Sequence, residues 1–247
     1  MKIALCLSGQ PRYLEDGYMQ IYENILSKYS VDTFIHTWWD YSYVNKKMIG
    51  SDQSRIYFWK EDTIKLIEKY YSPINFLHEP QINFQTYLDV NYELLTPMNV
   101  HSMLYSIEKS NNLKMKYEKE NNFVYDCVIR TRFDYLFTSQ YDLSKYDLKY
   151  LHIKDDCSHT EYAINDHVAF SNSQVMDIYS NMYDWLETCY NEGIEFNTEV
   201  IWGYYLNKKK HLPIAKTLGG HDASYMSTSK ERWKFWGMSP THKILDI

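Results

Sequence analysis

IALCLSGQPR, residues 3–12 of the chain, is an unbroken apolar run followed by a polar turn that contains Gly and Pro. A short continuous apolar run of this kind is typical of a buried strand in a parallel sheet. Apolar residues then recur at helical spacing over residues 15–29, and residues 31–38 have the composition of a second strand. This strand–helix–strand order predicts a βαβ unit, and therefore an α/β fold with a mostly parallel sheet flanked by helices.

Further elements follow from the same periodicities along the chain. Strands are predicted at residues 74–77, 123–129, 148–153 and 168–170, and helices at residues 64–71, 100–120, 175–190 and from Asn197 onward. Ser171 or Ser173 is the predicted cap of the 175–190 helix. Residues 41–54 are predicted to form a loop, residues 78–95 a surface excursion, and the last forty or so residues a wrapping tail.

Composition and charge narrow the class of protein. The 247 residues suit one α/β domain, and a hydrophobic content of 45% allows a sizeable core. The net charge of −6, without a long basic run, argues against nucleic-acid binding. The sequence shows no signal peptide and no apolar run long enough to cross a membrane, so a cytoplasmic location is expected.

The turn after the first strand is a candidate ligand site. In open parallel sheets, ligands bind beyond the carboxyl ends of the strands. Gly9 lets a ligand approach the backbone, Ser8 and Gln10 can hydrogen-bond a base or a ribose, and Arg12 can bind a phosphate. An ordinary strand-to-helix turn is the simpler explanation of the same residues, so this segment alone does not establish a ligand site.

The second candidate is RTRFD, residues 130–134, directly after the predicted strand at residues 123–129. Charged side chains at the end of a buried strand need partners, because desolvation destabilises them. Arg130 and Arg132 can bind the oxygens of a diphosphate, and Asp134 can bind Mg²⁺ or Mn²⁺. The alternative is an internal Arg–Asp salt bridge, which would leave one positive charge in surplus.

Residues 3–12, 31–38 and 129–134 resemble segments of bacterial and viral glycosyltransferase-like proteins, in particular the WavE-type lipopolysaccharide-synthesis family of the GT-A superfamily. The resemblance spans about residues 1–210 and rests on short motifs. It implies a GT-A-like fold and transfer of a sugar from a nucleotide-sugar donor to a glycan or polysaccharide acceptor. It also implies one domain over residues 1–247, with a nucleotide-binding half at 1–130 and an acceptor half with the C-terminal tail at 131–247.

The resemblance also implies a bound Mn²⁺ or Mg²⁺ ion. GT-A enzymes hold the metal with an Asp-x-Asp motif after a central strand, and many supply a C-terminal His. The corresponding positions here are Asp134 and His221, but Arg132 stands in place of the first Asp. Arg132 could therefore neutralise the diphosphate itself.

Two later carboxylates are candidates for the catalytic base. The resemblance places Asp166 just before the donor-site strand and Glu199 at the start of a helix that faces the acceptor. A carboxylate at either position could take the acceptor proton in an inverting transfer. Each has a simpler explanation, since Asp is common in turns and an acid in the first helical turn stabilises the helix dipole.

Two other classes of function remain open at this stage. One is a metal-dependent phosphate-handling enzyme that uses Asp134, Asp166 and Glu199 on two metal ions. The other is a non-catalytic carbohydrate-binding module whose many Trp and Tyr side chains stack on sugar rings.

Overall fold

The computed structural model describes residues 1–49, 56–84, 97–135, 137, 141–154 and 163–218. The strands are β1 Ile3–Gly9, β2 Val31–Trp38, β3 Lys47–Ile49, β4 Ile56–Phe58, β5 Asn75–Glu79, β6 Cys127–Thr131, β7 Leu151–Lys154, β8 Ala169–Ser171 and β9 Ile214–Leu218. The α-helices are α1 Leu14–Ile21, α2 Thr63–Tyr71, α3 Pro97–Asn121, α4 Ser173–Ser180, α5 Leu186–Asn191 and α6 Thr198–Gly203.

One sheet of seven described strands organises the chain, in the order β5-β2-β1-β6-β8-β7-β9. Parallel pairing joins β5, β2, β1 and β6, and it also joins β7 to β9. Among these seven strands, β8 alone runs antiparallel to its neighbours. The prediction of a mostly parallel α/β sheet is therefore confirmed, and β1 and β6 lie at its centre.

The two faces of β1 explain why its first five residues are all apolar. Because side chains alternate along a strand, Ala4 and Cys6 face one way, toward a core that α3 covers. Ile3, Leu5 and Leu7 face the other way, into a core shared with α1 and α2. Helices thus cover both faces of the sheet, which is what a run without polar residues predicts.

The division of the chain into halves at residue 130 falls inside a strand. β6 spans Cys127–Thr131 and pairs with β1 on one side and β8 on the other. Strands from both predicted halves therefore belong to one continuous sheet.

Several predicted boundaries are wrong. The predicted loop at residues 41–54 contains β3, which pairs with β4, and the predicted tail contains β9. Asn172, not Ser171 or Ser173, caps α4 by accepting from the backbone N–H of Val175 at 2.9 Å. The 175–190 segment is two helices joined by a 3-10 turn rather than one.

Candidate functional site

The two candidate segments lie side by side at the carboxyl edge of the sheet. Leu7 of β1 pairs with Thr131 of β6 in parallel register, so the chain leaves both strands at the same edge. Arg12 Nε then lies 3.1 Å from Asp134 Oδ2, which joins the two loops directly. Their proximity follows from the strand order and could not be read from the sequence alone.

Asp134 is held between two arginines. Arg132 binds it with two hydrogen bonds, Nε to Oδ1 at 2.8 Å and Nη2 to Oδ2 at 3.0 Å, while Arg12 binds Oδ2 from the opposite loop. The Asp134 side chain is 1% exposed, whereas those of Arg12 and Arg132 are 17% and 12% exposed. Two guanidinium groups therefore share one buried carboxylate at a partly open edge.

Gly9 is fixed by the neighbouring strand and by helix α3. Its φ of +102° lies in the left-handed region, where a side chain would be strained. The Gly9 N–H donates to Ser106 Oγ at 2.7 Å, and its carbonyl accepts from Thr37 Oγ1 at 2.8 Å. The loop that carries Arg12 therefore begins from a backbone position held at both of its polar groups.

A buried histidine extends this network. His36 Nδ1 lies 2.7 Å from Ser106 Oγ, and His36 Nε2 lies 2.9 Å from Glu79 Oε1. Burial lowers the pKa of His36 to about 4, with Lys109 acting in the same direction and the hydrogen bond to Glu79 opposing it. The neutral ring has one N–H, and a carboxylate can only accept, so Nε2 donates to Glu79 and Nδ1 accepts from Ser106.

Helix α1 approaches the loop after β6 so closely that it needs a glycine. A Cβ atom added to Gly17 would lie 1.6 Å from the carbonyl oxygen of Phe133. Phe133 itself is fully buried in the core beneath α1. The glycine thus lets the helix lie directly on the backbone between Arg132 and Asp134.

Arg130 occupies the interior rather than the edge. It is 1% exposed, and its Nη1 donates to the backbone carbonyl of Asp166. Its guanidinium lies 5.7 Å from the centre of the Trp202 ring, on which Tyr179 stacks at 5.0 Å. Burial lowers the pKa of Arg130. This placement does not support the prediction that Arg130 contacts a diphosphate, and it makes Arg130 an anchor for the loop that precedes β8.

The two candidate bases lie near one another. Asp166 Oδ2 accepts from Thr198 Oγ1 at 2.7 Å, and the backbone carbonyl of Glu199 accepts from Ile164 N at 3.2 Å. Asn197 Oδ1 caps the first turn of α6 by accepting from Glu199 N at 2.9 Å. The loop that carries Asp166 and the start of α6 therefore form one unit.

The two carboxylates differ in their surroundings. Burial alone would raise the pKa of Asp166, but His167, the hydrogen bond from Thr198 and the nearby arginines together hold that pKa below its usual value. Asp166 is buried, whereas Glu199 is only partly buried. Of the two, Glu199 is the more accessible to a substrate.

The remaining predicted site residues have varied placements. Ser8 is 2% exposed, Gly9 and Gln10 are partly exposed, and all three lie at the edge where β1 ends. His221 lies outside the described residues.

The described residues do not fit a divalent cation at Asp134. Both of its carboxylate oxygens already accept from Arg132, and the positive charges of Arg132 and of Arg12, whose Nε lies 3.1 Å from Oδ2, would repel a metal ion. In the part of the chain that the structure describes, no group of three or more His, Cys, Asp or Glu side chains is arranged to hold a metal. The salt bridge that the sequence left as an alternative is the arrangement observed, and the metal stays a prediction.

Four contributors to the site were not predicted from the sequence: Gly17, His36, Ser106 and Thr198. Gly17 carried a signal, because a glycine inside a helical pattern often marks a close backbone approach. A histidine inside the apolar second strand was a weaker signal for His36. Ser106 and Thr198 lie within helices and act on partners that are distant in sequence, so nothing local marks them.

No protein-family model matches the chain, and no curated protein sequence matches it either. Among solved structures, the chain is similar to the crystal structure of a glycosyltransferase involved in the glycosylation of the major capsid of PBCV-1. The identity is 12%, the match covers 86% of this chain and 78% of that chain, and the TM-score is 0.38. We therefore base the function on the geometry of the site. No described helix has the length and apolar character needed to cross a membrane.

Proposed function

We propose that this protein is a glycosyltransferase that moves a sugar from a nucleotide-sugar donor to a glycan or polysaccharide acceptor. The observation that carries the proposal is the pair Arg12 and Arg132, which share Asp134 at the carboxyl edge of two adjacent parallel strands. That edge is where open α/β sheets bind their ligands. The sheet order and the resemblance of residues 129–134 to GT-A proteins agree with this proposal.

A diphosphate matches the charge at this edge. Guanidinium groups bind phosphate oxygens through paired hydrogen bonds, and such charge-assisted bonds are stronger than neutral ones. The carboxylate of Asp134 holds both side chains in place before the ligand arrives. Two guanidinium groups are therefore already positioned at the edge where the donor diphosphate would bind.

In this proposal the arginines neutralise the diphosphate, which a metal ion does in GT-A enzymes that have both acids of the Asp-x-Asp motif. Arg132 occupies the position of the first Asp of the Asp-x-Asp motif, and its contact with Asp134 keeps a positive charge there. Positive charge at this point stabilises the nucleoside diphosphate as it leaves the sugar. A role for Mn²⁺ or Mg²⁺ remains a prediction, and it is tested below.

The acceptor side of the reaction needs a base if the anomeric centre is inverted. The acceptor hydroxyl loses its proton to a carboxylate, its oxygen bonds to the anomeric carbon, and the bond from that carbon to the diphosphate breaks. Glu199 is our candidate for the base, because it is more exposed than Asp166. Asp166 holds the start of α6 through Thr198.

Ligand-induced stabilisation tests the donor site. A ligand at 100 times its dissociation constant stabilises the folded state by about 2.7 kcal/mol, so a melting scan of the full chain with uridine-, guanosine- and cytidine-diphosphate sugars reveals binding. We expect at least one of them to raise Tm in EDTA as well as in Mn²⁺. A rise in Tm only with Mn²⁺ or Mg²⁺ would show instead that a metal carries the diphosphate.

Charge variants locate the binding. We expect Arg12→Gln and Arg132→Gln each to weaken binding of the stabilising sugar nucleotide at least tenfold. Lys28→Gln, at an exposed position, is the matched control. An equal loss of affinity in the control, or unchanged affinity in both arginine variants, contradicts the proposed donor site.

Turnover separates the proposal from its rivals. Release of nucleotide from the donor, with the sugar appearing on an acceptor or on water, excludes a non-catalytic carbohydrate-binding module. Competition for the site by DNA or RNA, with no effect of sugar nucleotides, would instead favour a phosphate-handling enzyme.

A further inference from the structure

Residues 165–167 lie at the edge of the sheet where β6 ends. β8 runs antiparallel to β6, and Ala169, its first residue, pairs with Arg130 near the end of β6. Thr131 Oγ1 then donates to the backbone carbonyl of His167 at 3.4 Å. The segment is therefore the immediate neighbour of the loop after β6, which carries the shared carboxylate of the proposed donor site.

The same segment is also bound to the start of α6. Thr198 Oγ1 donates to Asp166 Oδ2 at 2.7 Å, and Ile164 N donates to the backbone carbonyl of Glu199 at 3.2 Å. Residues 165–167 therefore lie between the arginine pair and the candidate base. In the proposed transfer the diphosphate binds at the arginines and the acceptor hydroxyl at the base, so the transferred sugar lies beside this segment.

Asn165 fixes the tautomer of His167. Asn165 Oδ1 accepts from the backbone N–H of His167 at 2.9 Å, and its Nδ2 lies 3.0 Å from His167 Nδ1. Because an amide NH₂ only donates, Nδ1 accepts and the ring hydrogen is on Nε2. The His167 side chain is 14% exposed, close to the 12% of Arg132. His167 therefore presents an N–H donor at the partly open edge.

This N–H donor faces an acceptor across a short gap. His167 Nε2 lies 3.5 Å from Asp166 Oδ1, longer than the about 2.7–3.2 Å of an ordinary hydrogen bond. The pKa of Asp166 lies below its usual value, so the carboxylate is ionised at neutral pH and its oxygens only accept. The Asp166 side chain is 9% exposed. A donor and an acceptor thus stand side by side.

A hydroxyl group is the ligand that matches this pair, because it can accept and donate at once. A hydroxyl oxygen about 2.8 Å from each atom completes a triangle on the 3.5 Å separation of His167 Nε2 and Asp166 Oδ1. A phosphate oxygen only accepts and would be repelled by the carboxylate, and an ammonium group has no lone pair for the N–H.

We infer that His167 and Asp166 bind one hydroxyl of the transferred sugar, which accepts from His167 Nε2–H and donates to Asp166 Oδ1. The inference rests on the proposed glycosyltransferase function and adds to it the group that selects the sugar, since the arginines bind only the diphosphate. A site built to hydrogen-bond a substrate hydroxyl discriminates strongly against an analogue that lacks it, because both protein groups are then left unpaired.

Titration calorimetry of the full chain tests this assignment. It compares the uridine-, guanosine- or cytidine-diphosphate sugar that stabilises the wild type with the corresponding free nucleoside diphosphate. We expect His167→Phe to weaken the sugar nucleotide about tenfold or more and to leave the free nucleotide within about twofold. His167→Gln keeps an N–H donor and should recover part of the affinity. His211→Phe, at an exposed histidine, is the matched control.

Deoxy analogues of the sugar nucleotide identify the hydroxyl. Removing the hydroxyl that the pair binds should weaken binding to the wild type about tenfold and leave binding to His167→Phe within about twofold, because two changes to one contact are not additive. A role of His167 in the fold alone predicts additive losses instead. His167→Leu, with a smaller side chain, replaces His167→Phe in both comparisons if the phenylalanine variant does not fold.

Three results would overturn the inference and leave the arginine site in place. They are an equal loss of affinity for the sugar nucleotide and the free nucleotide, an unchanged affinity for the sugar nucleotide, or additive losses with every deoxy analogue. Absence of wild-type binding to any of the sugar nucleotides would instead overturn the proposed function and this inference together.

Discussion

At the scale of single residues, the charge of Asp134 distinguishes a salt bridge from a metal ligand. Replacing it by Asn keeps the shape and leaves Arg12 and Arg132 without their carboxylate. Breaking a buried ion pair costs about 3–5 kcal/mol, and we expect the lower end, about 3 kcal/mol, because both arginines are partly exposed. For a chain of this size that is a fall in Tm of about 6–12 °C.

The Asp134→Asn variant should still bind the sugar nucleotide within about tenfold of the wild type, because both arginines remain. Glu120→Gln is the control, since its exposed pair with Lys116 contributes little stability. An unchanged Tm together with complete loss of metal-dependent turnover would identify Asp134 as a metal ligand and refute the salt-bridge interpretation.

The choice of base is also a question about single carboxylates. If transfer inverts the anomeric centre, Glu199→Gln should lower kcat by about 10²–10⁴-fold, the usual contribution of a positioned base, with donor affinity unchanged. Near-normal turnover in Glu199→Gln, with loss in Asp166→Asn, would assign the role to Asp166. Retained activity in both variants would favour a retaining mechanism that needs no carboxylate base.

At the scale of elements, helix α1 and the loop after β6 act as one block. Their backbones touch at Gly17 and Phe133, so Gly17→Ala must push the helix away from the loop that carries Arg132. We expect a Tm several degrees lower and weaker binding of the sugar nucleotide, although Gly17 touches no ligand. Asp16→Ala, at the neighbouring exposed position, is the control. Equal effects of the two substitutions would contradict the claim that α1 and the loop after β6 act as one block.

The sequence predicts the ends of a strand or helix where burial sets them, and it fails where contacts with other segments set them. β2 begins and ends where its composition predicts, because its six C-terminal residues are all buried. The strand predicted at residues 123–129 starts four residues late, at Cys127, since Val124 is 58% exposed and the N–H of Tyr125 bonds Glu118 instead of a strand. β3, β4 and β9 were missed because their short runs are decided by pairing rather than by their own pattern.

The candidate site, too, was predicted only in the parts that local sequence signals mark. The sequence located the loops at residues 8–12 and 130–134, because turn residues and charges after buried strands are local signals. It could not show that Arg130 donates to the backbone of Asp166 while Arg132 binds Asp134. Arg130 lies inside β6, where its surroundings depend on the neighbouring strands, whereas Arg132 follows the end of that strand. It also could not reveal Ser106, whose role depends on contact with Gly9.

At the scale of the whole molecule, helix α3 links the sheet edge to the global stability of the fold. It packs across β1 and β2 and places Ser106 between Gly9 and His36. His36 in turn reaches β5 through Glu79. Three neighbouring parallel strands are therefore connected at one edge by a chain of hydrogen bonds that requires a neutral imidazole.

That requirement makes stability depend on pH. In the unfolded chain a histidine has a pKa of 6.5, and in the fold the pKa of His36 is about 4. Between these values the unfolded chain binds a proton that the folded chain does not, so stability falls as pH falls. This difference in pKa corresponds to a loss of about 3 kcal/mol in the free energy of unfolding once the pH is below both values. Asp166 acts in a separate, lower window, because its lowered pKa contributes stability that is lost only as pH falls below the range of an ordinary carboxyl.

Denaturant unfolding of the full chain at pH 7.5, 6.5, 5.5 and 4.5 would measure this dependence. We expect the free energy of unfolding of the wild type to decrease toward pH 4.5 with a slope of up to about 1.4 kcal/mol per pH unit from His36 alone. His36→Gln cannot take up a proton, so it should be less stable at pH 7.5 but should show a shallower slope between pH 6.5 and 4.5. His211→Gln, at an exposed histidine, should leave the slope unchanged. Parallel slopes in the wild type and His36→Gln would mean that His36 is protonated in the fold, which would remove the directed hydrogen-bond chain from Gly9 to Glu79.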